Sequence, residues 1–293
     1  MLKRYLKFTG LFCALLAAAP VIHAQRAAAQ HKQLEKEDDE ESDDNTAPPA
    51  KDDAAELAKK LSNPISSMIS MPLQNNTDYG IGDAKATKNT LNIQPVVPFK
   101  LGKHLNLITR LILPVVSQYN VTGEGQGQTG LSDATLSAFF SPSHTKHGVI
   151  WGIGPAFLIP TGTNDYLTTK KFGIGPTGVI LRQTHGWTYG ALANQLWSVA
   201  GSNERADVSQ MFVQPFLTYN WKSGAGLGAN AEWTQNWKAN TTTIFINPII
   251  SGVTSLGKQK VQLAVGPRIN VAAPSGGRAD WGWRAVLVFL FPK

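Results

Sequence analysis

The chain has 293 residues, 42% of them hydrophobic and only 16% charged, with 27 Gly, 17 Pro, 8 Trp and a single Cys. After the leading residues no stretch stays apolar for the ~18 positions a spanning helix needs, which excludes a polytopic helical membrane protein, and the sparse charge excludes a coiled coil. The net charge of +7 divides into +3 over residues 1–24, −5 over 25–60 and +9 over 61–293, and the bases of the last part are spread singly, so no nucleic-acid partner is expected.

Residues 1–24 open with Lys3, Arg4 and Lys7, continue through an apolar run to Ala19, and end in Pro20 and Ala24. That is the plan of a secretory signal peptide cleaved after Ala24. It removes Cys13, so the exported chain is expected to hold itself together without disulfides.

Residues 25–60 form a charged, aromatic-free leader, nearly solid acid from Glu35 to Asp44, with too little apolar area to offset chain entropy. Disorder is expected there, apart from a helical segment over 53–61. Residues 61–75 are expected to be a short helical plug or cap. Asn63-Pro64 suits an N-cap followed by Pro in the first turn, Ile65, Met68, Ile69 and Met71 share one side, and Pro72 stops the helix.

From residue 76 to 293 the period changes to two. Runs of alternating side chains occupy 76–86, 90–100, 104–117, 131–141, 148–159, 171–183, 187–200, 208–222, 226–238, 242–255, 260–272 and 280–291, twelve in all. In the last run Trp281, Trp283, Ala285, Leu287, Phe289 and Phe291 oppose Gly282, Arg284, Val286 and Val288. Short connections alternate with mostly longer ones, the pattern of an outer-membrane barrel with both termini on the short-turn side.

A soluble sandwich also alternates, but three features decide for the barrel. The runs exceed the ~5 to 6 residues usual for sandwich strands. Trp and Tyr gather near run ends on the apolar side, where amphipathic rings meet a lipid boundary. The other side keeps polar groups that a dry core would not accept without partners. The expected fold is therefore all-β: a transmembrane antiparallel up-and-down barrel of about 12 strands in the bacterial outer membrane, with a short N-terminal helical segment. Six prolines within the runs (Pro95, Pro155, Pro176, Pro215, Pro248 and Pro267) should each mark a bulge, because Pro lacks the ladder donor.

Six segments carry a family resemblance: Leu61-Ser62-Asn63-Pro64-Ile65, Gln74-Asn75-Asn76, Leu91-Asn92-Ile93-Gln94-Pro95-Val96, Trp151-Gly152-Ile153-Gly154-Pro155, Trp187-Thr188-Tyr189-Gly190-Ala191-Leu192 and Leu290-Phe291-Pro292-Lys293. Residues 61–293 resemble the family labelled the MetA pathway of phenol degradation. The resemblance implies an outer-membrane transporter of small solutes, aromatic or hydrophobic ones included, with the lipid bilayer and the outer-membrane assembly machinery as partners. It brings no catalytic motif. The sequence ends in Pro292-Lys293 after Phe291 rather than in the terminal aromatic common among outer-membrane barrels.

On the inward side, Arg110, Glu232, Arg268 and Arg284, with Gln94 and Gln214, are the candidate polar contacts for a solute. Phe139, Phe212, Phe216 and Phe245 are the candidate apolar ones. A non-conducting structural barrel is the competing reading. A barrel lipase would need paired Ser and His at the lipid edge, whereas His104, His144, His147 and His185 fall in or beside short turns. No enzyme, no metal site and no cofactor are expected.

Overall fold

The computed structural model describes residues 51–144 and 148–291, the first three of these by backbone alone. The expected signal peptide, the leader through residue 50, His147 and the last two residues lie outside the described residues.

One helix, α1 (Lys51–Leu61), precedes fifteen strand segments: β1 (Ile69–Ile81), β2 (Ala86–Ile93), β3 (Val96–Leu101), β4 (Leu105–Tyr119), β5 (Gly127–Leu131), β6 (Ala134–Pro142), β7 (Val149–Ile159), β8 (Lys171–Thr184), β9 (Trp187–Gly201), β10 (Ser209–Asn220), β11 (Ala225–Asn236), β12 (Thr241–Leu256), β13 (Gln259–Pro267), β14 (Ile269–Ala272) and β15 (Trp281–Phe291). Three staves are each broken once, as β2 with β3, β5 with β6 and β13 with β14, so the segments make twelve staves. Every neighbour is antiparallel. The first stave pairs with the last from Ile69↔Phe291 to Tyr79↔Trp281, which closes the barrel and leaves no unpaired edge. No helix among the described residues is long and apolar enough to cross a membrane; the strands do the crossing.

Side-chain alternation follows the closed sheet. Along β13 and β14, Leu263, Val265, Pro267, Ile269 and Val271 are exposed outward, while Arg268 and Asn270 are buried inward. Ile153, Ile180, Val199 and Ile250 lie 57–60% exposed on other staves. An apolar belt of that extent belongs against hydrocarbon, since monomeric soluble proteins rarely expose contiguous patches above several hundred Å². Aromatic rings edge it at both ends. Trp187, Tyr219 and Trp221 cluster with centroids 4.9 and 5.3 Å apart near the end bearing the termini, and Tyr79 stacks on Trp281 at 4.3 Å near the other. By the convention of such barrels the terminal, short-turn end is periplasmic.

One outward site departs from this pattern. Asn75, Thr77 and Asn89 share the outer face beneath Tyr79, and their side chains bond one another at 2.7–3.1 Å. The amides partner each other, so the group avoids the cost of unpaired polar atoms facing lipid.

Two expectations are corrected. The helical segment expected over 53–61 is present as Lys51–Leu61, but residues 62–68 form an irregular crossing segment rather than the helix expected over 61–75. Asn63 does cap, with its Oδ1 accepting the Ile65 N–H at 3.0 Å, but only a turn follows. The barrel then begins at Ile69 rather than at residue 76, because the pairing of Ile69, Met71 and Leu73 with β15 outweighs their helical spacing.

The prolines make no bulges either. Register is constant across all six: Val213↔Trp233 continues to Phe216↔Asn230, and Leu73↔Ile93 to Ser70↔Val96. Each Pro instead interrupts the ladder without inserting a residue. At the three steps where a Gly precedes the Pro, that Gly becomes necessary. A Cβ on Gly154, Gly175 or Gly266 would lie 1.9, 1.7 or 1.9 Å from the carbonyl oxygen of Ala138, Gln195 or Pro248, each the residue facing the following Pro. With no N–H to receive that carbonyl, the neighbouring strand closes up over the glycine.

Candidate functional site: the barrel lumen

Two halves of the interior are built differently. In the periplasmic half, α1 lies against β10, β11 and β12, burying Ala54, Leu57 and Ala58. Leu57 and Met68 pack on Val288 and Leu290, the inward side chains at the end of β15. The crossing segment drives Ile65 into a ring of Val96, Ile108, Phe139, Val179, Leu181 and Leu192 from five staves. Gly152 leaves the room: a Cβ there would sit 3.2 Å from Ile65 Cδ1. Asn220 Nδ2 donates to Ser62 Oγ at 2.8 Å and Gln183 Nε2 to the Lys59 carbonyl at 2.8 Å, which fix the segment to the rim. Residues 51–68 are thus a plug.

Above it the lumen is hollow. A cavity of about 540 Å³ is lined by Asp78, Lys88, Arg110, Glu232 and Arg268 together with Phe212, Phe245, Ile112, Leu192 and Leu196. A smaller one of about 240 Å³ lies between it and the plug. Gln74, Gln94, Arg110 and Gln214 line both and form the boundary between the two chambers. At that boundary Arg110 Nη2 donates to Gln94 Oε1 at 2.7 Å.

One wall of the upper chamber is a charge network. Arg268, at the break between β13 and β14, donates from Nε to Asp78 at 3.1 Å, and from Nη1 to Glu232 at 2.7 Å and Asn247 at 3.1 Å. Its guanidinium carbon stands 3.5 Å from the centre of the Phe245 ring. Arg284 donates to Asn76 at 2.7 Å, Asn230 at 3.4 Å and Glu232 at 2.7 Å. Asn247 Nδ2 completes the set by donating to Asn230 Oδ1 at 3.0 Å. Gly282 permits the geometry, because a Cβ there would fall 2.7 Å from Asp78 Oδ1. Buried charges require partners of this kind.

All ten sequence candidates face inward, but they separate into groups. Arg110, Glu232, Arg268, Gln94, Gln214, Phe212 and Phe245 line the upper chamber, and Phe216 lines the lower one. Arg284 is 2% exposed and holds the wall from behind, while Phe139 is fully buried under the plug. Asp78, Asn76 and Lys88 were not among the candidates: Lys88 falls between the expected runs 76–86 and 90–100, and the run holding Asn76 and Asp78 starts without the Gln74 that fixes its parity. Carrying the alternation of Gln74 forward through β1 would have found Asn76 and Asp78.

The sequence matches no family model and no curated protein. Among solved structures, a COG4313 outer membrane channel from Pseudomonas putida F1 aligns with a TM-score of 0.60 at 16% identity, covering 78% of this chain and 97% of that one. This is a bacterial outer-membrane barrel fold. Weaker likenesses are the calcium-bound outer membrane phospholipase dimer of Salmonella typhi, with a TM-score of 0.42 at 12% identity over 81% of this chain and 98% of that one, and the β domain of the Bordetella autotransporter BrkA, with 0.43 at 12% over 77% and 100%.

Proposed function

We propose that this protein is an outer-membrane conduit for small solutes, aromatic and hydrophobic ones included, of the kind suggested by its resemblance to the MetA-pathway family. The observation that carries the reading is the upper chamber: about 540 Å³, closed by the barrel wall, with an apolar side of Ile112, Leu192, Leu196 and Phe212 facing a charged one. That volume lies within the ~300–1,000 Å³ of ordinary small-ligand sites. Twelve staves also stand between the filled eight-stranded barrel and the water-filled porin, which suits a narrow lumen that can be stoppered. Insertion into lipid by the outer-membrane assembly machinery and a non-catalytic role are part of the same proposal.

Swelling of proteoliposomes carrying the full chain, with phenols, simple sugars and amino acids as permeants, tests it. Solute-dependent swelling above that of protein-free liposomes is expected; none with any class would contradict it. The plug favours a second reading, a non-conducting structural barrel, which requires that flux stay absent even when the plug is loosened.

A further inference from the structure

The cations of the upper chamber are unequally satisfied. Arg268 and Arg284 share Asp78 and Glu232 and are further held by three asparagines and a Phe ring. Lys88 and Arg110 have no carboxylate within 4.0 Å among the described residues. Lys88 stands opposite Asp78 in the β1–β2 register, yet the Asp78 carboxylate turns to Arg268 instead. Arg110 spends one of its five N–H donors on Gln94. Around the chamber four cations face two carboxylates, an excess of two positive charges.

That excess sits in a site with an apolar wall. Ile112 follows Arg110 by two residues on the same face of β4, and with Leu192, Leu196 and Phe212 it lines the same chamber. A guanidinium with free donors away from bulk water is costly without an anion. A sugar would leave the apolar wall unused, and an organic cation would meet the uncompensated charge.

We propose that the upper chamber is a binding site for a single-ring aromatic anion, a carboxylate or phenolate, held by Arg110 with its ring against Ile112 and Phe212, and drawn in past Lys88. The inference deepens the conduit reading by naming a substrate class, and binding can be measured without any flux.

The test is calorimetric titration of the detergent-solubilised full chain with benzoate, benzyl alcohol and benzylammonium, three ligands of one ring that differ in charge. Benzoate should bind roughly tenfold more tightly than benzyl alcohol, as one charge-assisted contact allows, and benzylammonium should not bind. Arg110→Gln should abolish the preference, Arg110→Lys should retain part of it, and Lys88→Gln should weaken benzoate by a few-fold because Lys88 adds charge to the chamber without holding the bound anion. Equal affinity for all three ligands overturns the proposal, as does an Arg110→Gln protein, folded by its gel mobility, that still prefers benzoate. The comparison of ligands on the unaltered chain decides the matter even where a variant fails to fold. Benzoate binding without permeation of any solute would sink the conduit reading and leave this site standing. Permeation of neutral solutes with no benzoate preference would do the reverse.

Discussion

The two ends of the lumen use inward positions of one barrel wall to opposite effect. Toward the periplasm, Gly152, Val179 and Leu181 make room for Ile65, and Val288 and Leu290 meet Leu57 and Met68, all three plug side chains coming from the chain's own residues 51–68. Toward the outside, Asn76, Asp78, Glu232, Arg268 and Arg284 are long and polar, hold one another in place, and leave a chamber. The barrel wall sets the diameter; side-chain chemistry decides which half is a stopper and which a vestibule.

The largest expected effect comes from breaking the charged half. Glu232→Ala removes the carboxylate shared by both arginines and leaves Arg284 without an acidic partner. A loss of about 3–5 kcal/mol in barrel stability is expected, from removing one member of a buried ion group, measured by denaturant unfolding in detergent. A loss near zero would mean that the network is wet and dispensable.

Loosening the apolar half comes next. Ile65→Ala should weaken docking of the plug by about 2–4 kcal/mol, the usual cost of deleting a buried aliphatic side chain, while the barrel itself melts as before. Protease cutting within residues 51–68 should increase and single-channel openings lengthen. Unchanged cutting and an unchanged electrical trace would place the stopper elsewhere.

Outside the membrane, Asp133 ties the connection between β7 and β8 to the wall. Its carboxylate accepts from the hydroxyls of Thr168 and Thr169 and the Thr169 N–H, each at 2.6 Å. Asp133→Ala should raise hydrogen exchange over residues 160–170 by a local loss of about 1–3 kcal/mol and leave the global melt unmoved. If exchange over that connection stays slow, the latch is redundant.

The smallest effect is on pH. Asp165 and Asp207 are exposed loop carboxyls held below the ordinary aspartate range by hydrogen bonds and charge from Lys170 and Lys171. A carboxyl whose folded pKa is depressed adds stability above its unfolded pKa, and that stability is lost as pH falls through the folded one. The protection of the loop amides, taken relative to their intrinsic exchange rate, should therefore be flat above about pH 4 and fall below it. A loss of protection that begins near neutrality would point to other groups.

Most of the wall was legible because a barrel writes its geometry in one dimension. Alternation such as Leu263, Val265, Pro267 and Ile269 against Arg268 and Asn270 follows from one side meeting lipid, and twelve such runs are present in the twelve staves. Residues 62–75 were misread because Ile65, Met68, Ile69 and Met71 fit a helical spacing, and which period prevails depends on a partner stave more than two hundred residues away. The proline steps were visible, but their consequence depends on a neighbour's carbonyl, which no local pattern reports. Of the site, the inward facing of all ten candidates could be read from parity. What could not be read is which cations find acids: Arg268 and Arg284 do and Arg110 does not, a matter of reach between staves.

Cysteine substitution at two neighbouring positions of β10 tests the central claim that the inward face bounds a solute path and the outward face meets lipid. The chain's single Cys, Cys13, is first replaced by Ser, so that each introduced thiol is the only one. Gln214→Cys, at the boundary between the chambers, should react with a water-soluble thiol reagent in proteoliposomes, and the modification should block solute flux. Leu217→Cys, on the outer face, should stay unmodified. Reaction at Gln214→Cys that leaves flux unchanged, or ready labelling at Leu217→Cys, would contradict the account.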